Sequence, residues 1–315
     1  MRYLITGGAG FIGSHLSDLL VREGHDVVVM DDMSTGSVDN LLGSGVRLIP
    51  VNMSDESRLR FECQYVDWII HLAATVGVKN TMDKTPELIT NNINNTNTIF
   101  KIAAELAKPV FFASTSEAYG NSPDVPFNET TTSVFGSPDV IRWSYGQSKA
   151  IGEALANFYR KEKNLRFITG RIFNSVGPRQ SGEYGNVLPR FVTAAMENRD
   201  LEVYGDGLQT RSFCHVYDTV RAIYMLTKSG KLGEAYNIGG EREVSIVSLA
   251  ETVVRQVRSM STVYFTDYEK AYGTGYEDTS RRLADITKIK SDTGWEPEYS
   301  LEQIINDIAK DHDGY

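Results

Sequence analysis

The segment Thr6-Gly7-Gly8-Ala9-Gly10-Phe11-Ile12-Gly13 follows a short apolar run, Tyr3-Leu4-Ile5, and leads into a stretch where Ile12, Leu16, Leu19 and Leu20 share one helical face. Strand, tight glycine turn and helix in that order commit the chain to begin as a parallel α/β unit. Glycine at 7, 10 and 13 lets the backbone approach a pyrophosphate, which then rests on the helix N-terminus where unpaired N–H groups point. Asp31-Asp32 ends the next strand, about 20 residues further on, where an acid takes ribose hydroxyls. An acid there disfavours a 2′-phosphate, so the spacing predicts NAD rather than NADP. A glycine pattern alone also fits a plain turn beside a solvated acidic loop.

The alternation continues along the chain. Residues 26–30, 47–51, 66–72, 110–114 and 167–173 read as strands, and 12–23, 86–107 and 142–162 as helices. Runs such as Val27-Val28-Val29 suit strands buried on both faces. The expected fold is α/β: a doubly wound parallel sheet of Rossmann type. Beyond Asn174 the texture changes, with Pro178, Pro189, residues 182–185 and Tyr204-Gly205-Asp206-Gly207 interrupting the pattern. Helical patterns return at 187–198, 216–228, 248–259 and 301–310, the last within a polar tail. Residues 1–173 therefore read as the NAD-binding domain, with 212–239 returning to it. Residues 174–211 and 240–315 read as a smaller, interleaved substrate-binding region.

Composition excludes several classes. Hydrophobic residues make up 41% and charged residues 23% of the 315, which suits a globular protein rather than a fibre or a disordered chain. A net charge of −9 without a dense Lys/Arg run argues against nucleic acid as a partner. Cys63 and Cys214 are too few for a disulfide framework or a zinc site, and the five histidines have no metal-ligand spacing, so no metal is expected. No apolar run is long enough for a membrane span, and the apolar start breaks at Thr6-Gly7-Gly8, unlike a signal peptide. The expectation is a cytoplasmic protein.

Tyr145 and Lys149 stand four apart in a helical pattern, hence on one face. Tyrosine titrates near 10, and a neighbouring ammonium favours its phenolate, bringing it within range as a base. Such pairs also decorate ordinary helix surfaces. Here Ser114-Thr115-Ser116-Glu117 ends a strand of the same sheet, and ligands of doubly wound sheets sit beyond the carboxyl ends of strands. The hydroxyls, the carboxylate and the glycine turn are thus expected around one crevice.

Together these features resemble the extended short-chain dehydrogenase/reductase family, specifically its NAD-dependent nucleotide-sugar epimerases, dehydratases and decarboxylases. The resemblance spans essentially the whole chain. It includes His71-Leu72-Ala73-Ala74, Asn91-Asn92-Ile93-Asn94, Arg171-Ile172-Phe173-Asn174, Gly177-Pro178-Arg179 and the turn from Tyr204 to Arg211. It implies a cofactor site of Gly7, Gly10, Phe11, Ile12, Gly13, Asp31, Asp32, Leu72, Ala73, Ala74, Asn92, Tyr145 and Lys149. The family's acid-plus-apolar pair for adenine falls on Asn52-Met53, where asparagine can still pair with the adenine edge. The resemblance further implies that Thr115 holds the sugar 4-hydroxyl, Tyr145 removes its proton and Lys149 binds the nicotinamide ribose. Ser116, Asn174, Asn186, Val187, Leu188, Arg190, Tyr204 and Arg211 would hold the nucleoside-diphosphate sugar. The family also implies a homodimer, paired through the two long helices.

Members of this family share C4 oxidation and differ in the fate of the 4-keto sugar. Glu117, two residues after Thr115, resembles UDP-glucuronate decarboxylases and GDP-mannose dehydratases. The stretch from Tyr272 to Asp278, followed by Arg281-Arg282-Leu283-Ala284-Asp285-Ile286, resembles the decarboxylases' C-terminal segment, and their sugar-carboxylate arginine falls on Arg282. An arginine fork suits a carboxylate; the plainer alternative is an exposed arginine pair beside Asp278 and Asp285. UDP-glucuronate decarboxylation through a 4-keto intermediate is thus the leading expectation, with Glu117 and Arg282 helping at C5 and C6. C4 epimerisation of a UDP-sugar, then a GDP-mannose-type 4,6-dehydratase, are the alternatives. An inactive nucleotide-binding scaffold would be expected to have lost Tyr145 or Lys149. His71 reads as structural or as part of the cofactor wall, Trp68, Trp143 and Trp295 as packing, and Lys101, Glu105 and Lys108 as a solvated helix face.

Overall fold

The computed structural model describes residues 1–77, 81, 85–182, 186–272 and 277–313. Of the segments read above, residues 183–185, 273–276 and 314–315 lie outside the described residues.

Seven parallel strands form the central sheet. Six are β1 (Arg2–Thr6), β2 (Asp26–Asp31), β3 (Arg47–Pro50), β4 (Trp68–His71), β5 (Val110–Thr115) and β6 (Phe167–Ile172). The seventh, Glu234–Ile238, lies beyond β6, giving the order 234–238, β6, β5, β4, β1, β2, β3. The order reverses between β1 and β4, and a doubly wound sheet opens its ligand crevice at that point.

Both faces of the sheet are covered. Tyr3, Ile5, Val27, Val29, Ile70 and Phe111 point to one side, with Leu16 and Leu20 of α1 (Phe11–Arg22) and Ile223 of helix Val216–Ser229. Leu4, Val28, Met30, Ile69, Val110 and Phe112 point to the other, with Leu59 of α2 (Glu56–Cys63), Ile99 of α3 (Thr85–Glu105) and Ala156 of α4 (Ser144–Lys163). This two-residue alternation between buried faces is what continuous apolar strands require. A separate core joins helices Val187–Met196, Ile246–Gln256 and Leu301–Asp313 through Leu188, Phe191, Leu249 and Ile305.

Several boundaries differ from the sequence reading. The helix expected over 142–162 is a 3₁₀ turn, Ile141–Trp143, followed by α4. α4 ends at Asn164, whose left-handed backbone lets its N–H reach the Arg160 carbonyl. The helix expected over 248–259 begins at Ile246, where the Ser245 hydroxyl accepts from the Ser248 amide, and ends at Gln256. α2 is not among the expected helices. Lys101 and Glu105, read as a solvated face, have solvent-exposed side chains and form surface pairs with α2, Lys101 with Glu56 and Glu105 with Arg60. No described helix is long and apolar enough to cross a membrane.

Candidate active site

The glycine turn between β1 and α1 is shaped by close approach. A Cβ on Gly13 would stand 2.2 Å from the Gly7 carbonyl oxygen, and one on Gly7 would stand 2.8 Å from the Ala73 amide nitrogen. Gly10 is the N-cap of α1, and no side chain caps that helix, so its first amides are left for a ligand. Asp31 is buried at the end of β2, where its carboxylate accepts from the amides of Ala9 (2.9 Å) and Met33 (2.9 Å). Burial pushes its carboxyl above the usual range, although those two amides oppose the rise. Asp32 is exposed and accepts from the Ser34 amide.

The opposite wall is the exit of β4. The Ala73 amide donates to the Thr6 hydroxyl at 3.3 Å, and Asn92 of α3 brackets Thr75 with an accepted bond of 2.8 Å and a donated one of 3.1 Å. His71 is buried between Thr6 (2.8 Å) and Thr96 (3.3 Å); burial pulls its pKa down to about 3, so it is a neutral structural residue. Asn52 is exposed and accepts from the Ser54 amide, while Met53 is buried in the core beside Met30 and Leu59. An uncapped helix end, a turn with no room for a side chain, and a carboxylate at the end of β2 together suit NAD.

β5 delivers the reacting groups. Thr115 ends the strand, and its hydroxyl accepts from the Glu117 amide at 3.2 Å, starting a 3₁₀ turn over Ser116–Tyr119 that turns Glu117 into the crevice. α4 packs directly on this turn because Gly146 lacks a side chain: a Cβ there would stand 2.3 Å from the Glu117 carbonyl oxygen. Tyr145, next to that glycine, is thereby set beside Thr115 and Glu117. Burial raises the Tyr145 pKa and the Glu117 charge adds to the rise, while the nearby Thr115 side chain opposes it. One turn on, Lys149 is buried and donates to the Ala113 carbonyl at 2.9 Å. Burial pulls its pKa down to about 8, against the pull of Glu153. In this state Lys149 thus bonds to β5, and the groups that shift Tyr145 are its burial, Glu117 and Thr115 rather than the lysine expected to favour its phenolate.

Glu117 is the centre of a buried charge cluster. Both its oxygens accept from Arg142, at 2.5 and 3.0 Å, and one also lies 3.5 Å from Arg282. Burial would raise its carboxyl, but Arg142 and Arg282 reverse this and hold it below the usual range. Arg282 itself is only 6% exposed, and burial lowers its pKa to about 10. The alternative of an exposed arginine pair holds only for Arg281, which is exposed and pairs with Glu243.

Beyond this cluster a cavity is lined by Asn174, Asn186, Val187, Leu188, Arg190, Tyr204, Arg211, Asp278 and Arg282 among others. Arg211 is fixed by the carbonyls of Thr210 (2.8 Å) and Thr279 (2.9 Å) and by Asp278 (2.8 Å). Arg190 lies 4.6 Å over the Tyr204 ring and donates to the Glu202 carbonyl. Asn174 bridges to the Ser212 carbonyl at 2.8 Å. Four arginines, 142, 190, 211 and 282, face two acids, Glu117 and Asp278, so the cavity suits a polyanion.

The structure thus gathers Thr115, Glu117, Tyr145 and Arg282 around one point, with Ser116 buried alongside and Lys149 one turn behind. Sequence reasoning missed Arg142 and the lining role of Tyr268 and Gln209. Arg142 lies on the 3₁₀ turn just before α4, and no local spacing ties it to Glu117 or Arg282. Trp143 packs as expected, with its indole donating to Glu277 at 3.2 Å.

Residues 4–308 match the family model described as GDP-mannose 4,6 dehydratase. The UDP-N-acetyl-alpha-D-glucosaminuronate decarboxylase of Bacillus cytotoxicus is 40% identical over 98% of this chain and 97% of its own. The UDP-glucuronic acid decarboxylase 1 of Xenopus tropicalis is 33% identical over 97% of this chain and 70% of its own. Among solved structures, the UDP-glucose 4-epimerase of Thermotoga maritima superposes with a TM-score of 0.90 at 26% identity, covering 100% of this chain and 99% of that one. A mutant UDP-glucuronic acid 4-epimerase of Bacillus cereus, in complex with NAD and a fluorinated UDP-glucuronic acid, superposes with a TM-score of 0.88 at 27% identity, covering 100% of both. The fold agrees with these matches, and the chain belongs to the NAD-dependent nucleotide-sugar branch of the extended short-chain dehydrogenase/reductases, within the GDP-mannose 4,6-dehydratase family.

Proposed function

We propose that the protein decarboxylates a UDP-linked hexuronic acid. The observation that carries this reading is the excess of buried arginine in the cavity, which suits a diphosphate plus one further carboxylate. Arg190 and Arg211 face the diphosphate, with Asn174, Asn186, Leu188 and Tyr204 around it. Arg282 receives the C6 carboxylate.

NAD, bound on the glycine turn between Asp31 and the exit of β4, supplies the two-electron acceptor for carbon C4. Thr115 orients the sugar 4-hydroxyl and Tyr145 takes its proton at the phenol oxygen; Lys149 holds the nicotinamide ribose. With C4 a ketone, the C6 carboxylate is β to a carbonyl. The C5–C6 bond breaks, carbon dioxide leaves, the electron pair enters the C4 carbonyl as an enolate, and C5 is then protonated. Glu117, held ionised by its arginines, orients the sugar at C5 and C6.

UDP-glucuronate is the first substrate to test. Its 2-acetamido counterpart is a second reading, favoured by the 40% identity to a decarboxylase named for that sugar. Incubation with each, followed by carbon dioxide release and product mass, tests the proposal. A loss of about 44 mass units, the mass of carbon dioxide, is expected for one of them where hydride and proton return to C4, and a loss of about 46 where the 4-keto pentose is released. An epimer of unchanged mass, with no gas, would replace decarboxylation by C4 epimerisation. The protein works as a homodimer in the cytoplasm, a compartment that suits its two buried free thiols.

A further inference from the structure

Glu117 lies between two guanidinium groups carried by different parts of the chain, Arg142 on the turn that enters α4 and Arg282 on the short strand Arg281–Arg282. Their engagement is unequal. Arg142 makes a fork on both carboxylate oxygens, at 2.5 and 3.0 Å, with 5% of its side chain exposed. Arg282 makes one long contact of 3.5 Å, and its other terminal nitrogen meets the Thr279 hydroxyl at 3.3 Å. A buried carboxylate takes the best fork within reach, because an unpaired buried charge is strongly disfavoured. Arg211 cannot supply one, since two carbonyls and Asp278 already fix it.

We propose that Arg142 is a positioning residue that keeps Arg282 available to the substrate: by occupying both oxygens of Glu117, it prevents Glu117 from capturing the arginine that receives the sugar carboxylate. The inference rests on the hexuronate reading above. Arg142 is well placed for the task because the next residue is anchored. The Trp143 indole donates to Glu277, and Gly136 packs so closely that a Cβ there would stand 2.5 Å from the indole nitrogen. Without the Arg142 fork, the nearest cation to Glu117 is Arg282, already 3.5 Å away, and a small rotation completes the pair. The carboxylate clamp is then quenched from inside, while the diphosphate end of the cavity is untouched.

The test is a binding experiment in the Tyr145→Phe background, with NAD present, titrating UDP-glucuronate and UDP-glucose by calorimetry. The parental protein is expected to prefer the acid sugar. Arg142→Gln should lower that preference at least tenfold, the scale of a charge-assisted pair, with UDP-glucose binding changed less than about twofold. Arg142→Lys, which keeps the charge but not the fork, should retain part of the preference. Adding Glu117→Gln to Arg142→Gln should restore it, because nothing then competes for Arg282. An undiminished preference in Arg142→Gln, equal weakening of both sugars, or no rescue by Glu117→Gln would each overturn the proposal. If Arg142→Gln does not fold, a full preference in Arg142→Lys overturns it. A parental protein with no preference overturns the hexuronate reading itself, and this inference with it.

Discussion

The Lys149 ammonium donates a hydrogen bond to the main-chain carbonyl of Ala113, 2.9 Å away on β5 and two residues before Thr115. The ammonium is buried, and burial lowers its pKa from the usual lysine range to about 8. Between pH 8 and the ordinary lysine value the unfolded chain therefore holds more protons than the folded one, and stability rises with pH across that window. Below it the folded protein carries a full burial penalty. Lys149→Met should raise the Tm of the NAD-free protein by a few degrees at pH 7, with the gain fading as pH rises through 8 to about 10.5. Turnover should fall about 10²- to 10⁴-fold in the same variant, the range for a disabled acid–base pair. Melting curves at several pH values, read beside activity, check this; a lower Tm at pH 7 would show that the Ala113 bond outweighs burial.

Tyr145 carries the second expectation. Its pKa is raised by burial first and by the Glu117 carboxylate second. The rate should therefore climb with pH across the neutral range, because the phenolate fraction grows. Glu117→Gln removes a like charge, which favours the phenolate and moves the rising limb of kcat/KM to lower pH even as the maximal rate drops. Tyr145→Phe removes the proton acceptor and should abolish turnover, while NAD, held chiefly by the glycine turn, should bind within about twofold. A pH profile that stays in place in Glu117→Gln would mean that the two groups are not coupled.

Glu117 also bears on stability. Its folded pKa is depressed by Arg142 and Arg282, so its contribution is present above the ordinary glutamate value and lost as pH falls through the lower folded value. Glu117→Ala leaves two buried arginines facing each other and should cost about 3–5 kcal/mol. Denaturant midpoints at pH 7 and pH 4 measure it: the gap between wild type and variant should narrow at the lower pH.

The parts of this site set by local spacing were legible in the sequence. Gly7, Gly10 and Gly13 sit within one turn, and Tyr145 and Lys149 are four apart, so helix geometry alone places them. Arg142 was not legible because its partners, Glu117 and Arg282, are 25 and 140 positions away, and only the packing of the turn on β5 joins them. α2 escaped because it turns only Leu59, Cys63 and the arginine-paired Glu62 inward, so its apolar stripe is too short to register. Asn52 accepts from the Ser54 amide through its side-chain carbonyl, a local bond of the kind short polar side chains make with nearby backbone.

The glycine turn separates folding from cofactor binding. A Cβ on Gly13 meets the Gly7 carbonyl oxygen at 2.2 Å and the Gly8 Cα at 2.6 Å, so Gly13→Ala must distort the turn and should lower the Tm without any cofactor. Gly10 has its nearest neighbour at 3.3 Å, so Gly10→Ala should fold with a Tm close to wild type. Its methyl group would stand at the N-cap of α1, in the path of a pyrophosphate, and should weaken NAD at least tenfold. Fluorescence titration of NAD with parallel melts distinguishes the two; equal loss of stability in both variants would remove the distinction.

α4 turns one face to the candidate site and leaves an apolar stripe exposed on the other. Gly146 is buried against the turn at Glu117, and Lys149, Gly152 and Ala156 against β5 and its neighbours, whereas Ile151 and Phe158, two turns apart, are 44% and 57% exposed. With Ala154 between them they form an apolar stripe on a helix that a monomer leaves in water. A second copy of the same stripe would cover it by two-fold symmetry, which a homodimer requires. In the proposed homodimer, Ile151→Glu with Phe158→Glu would place two carboxylates opposite their own copies and should leave a monomer at micromolar concentration. Because neither side chain faces the Tyr145 side of the helix, NAD affinity should stay within about threefold. Light scattering reads the mass directly, and a double variant that remains dimeric would move the interface off α4.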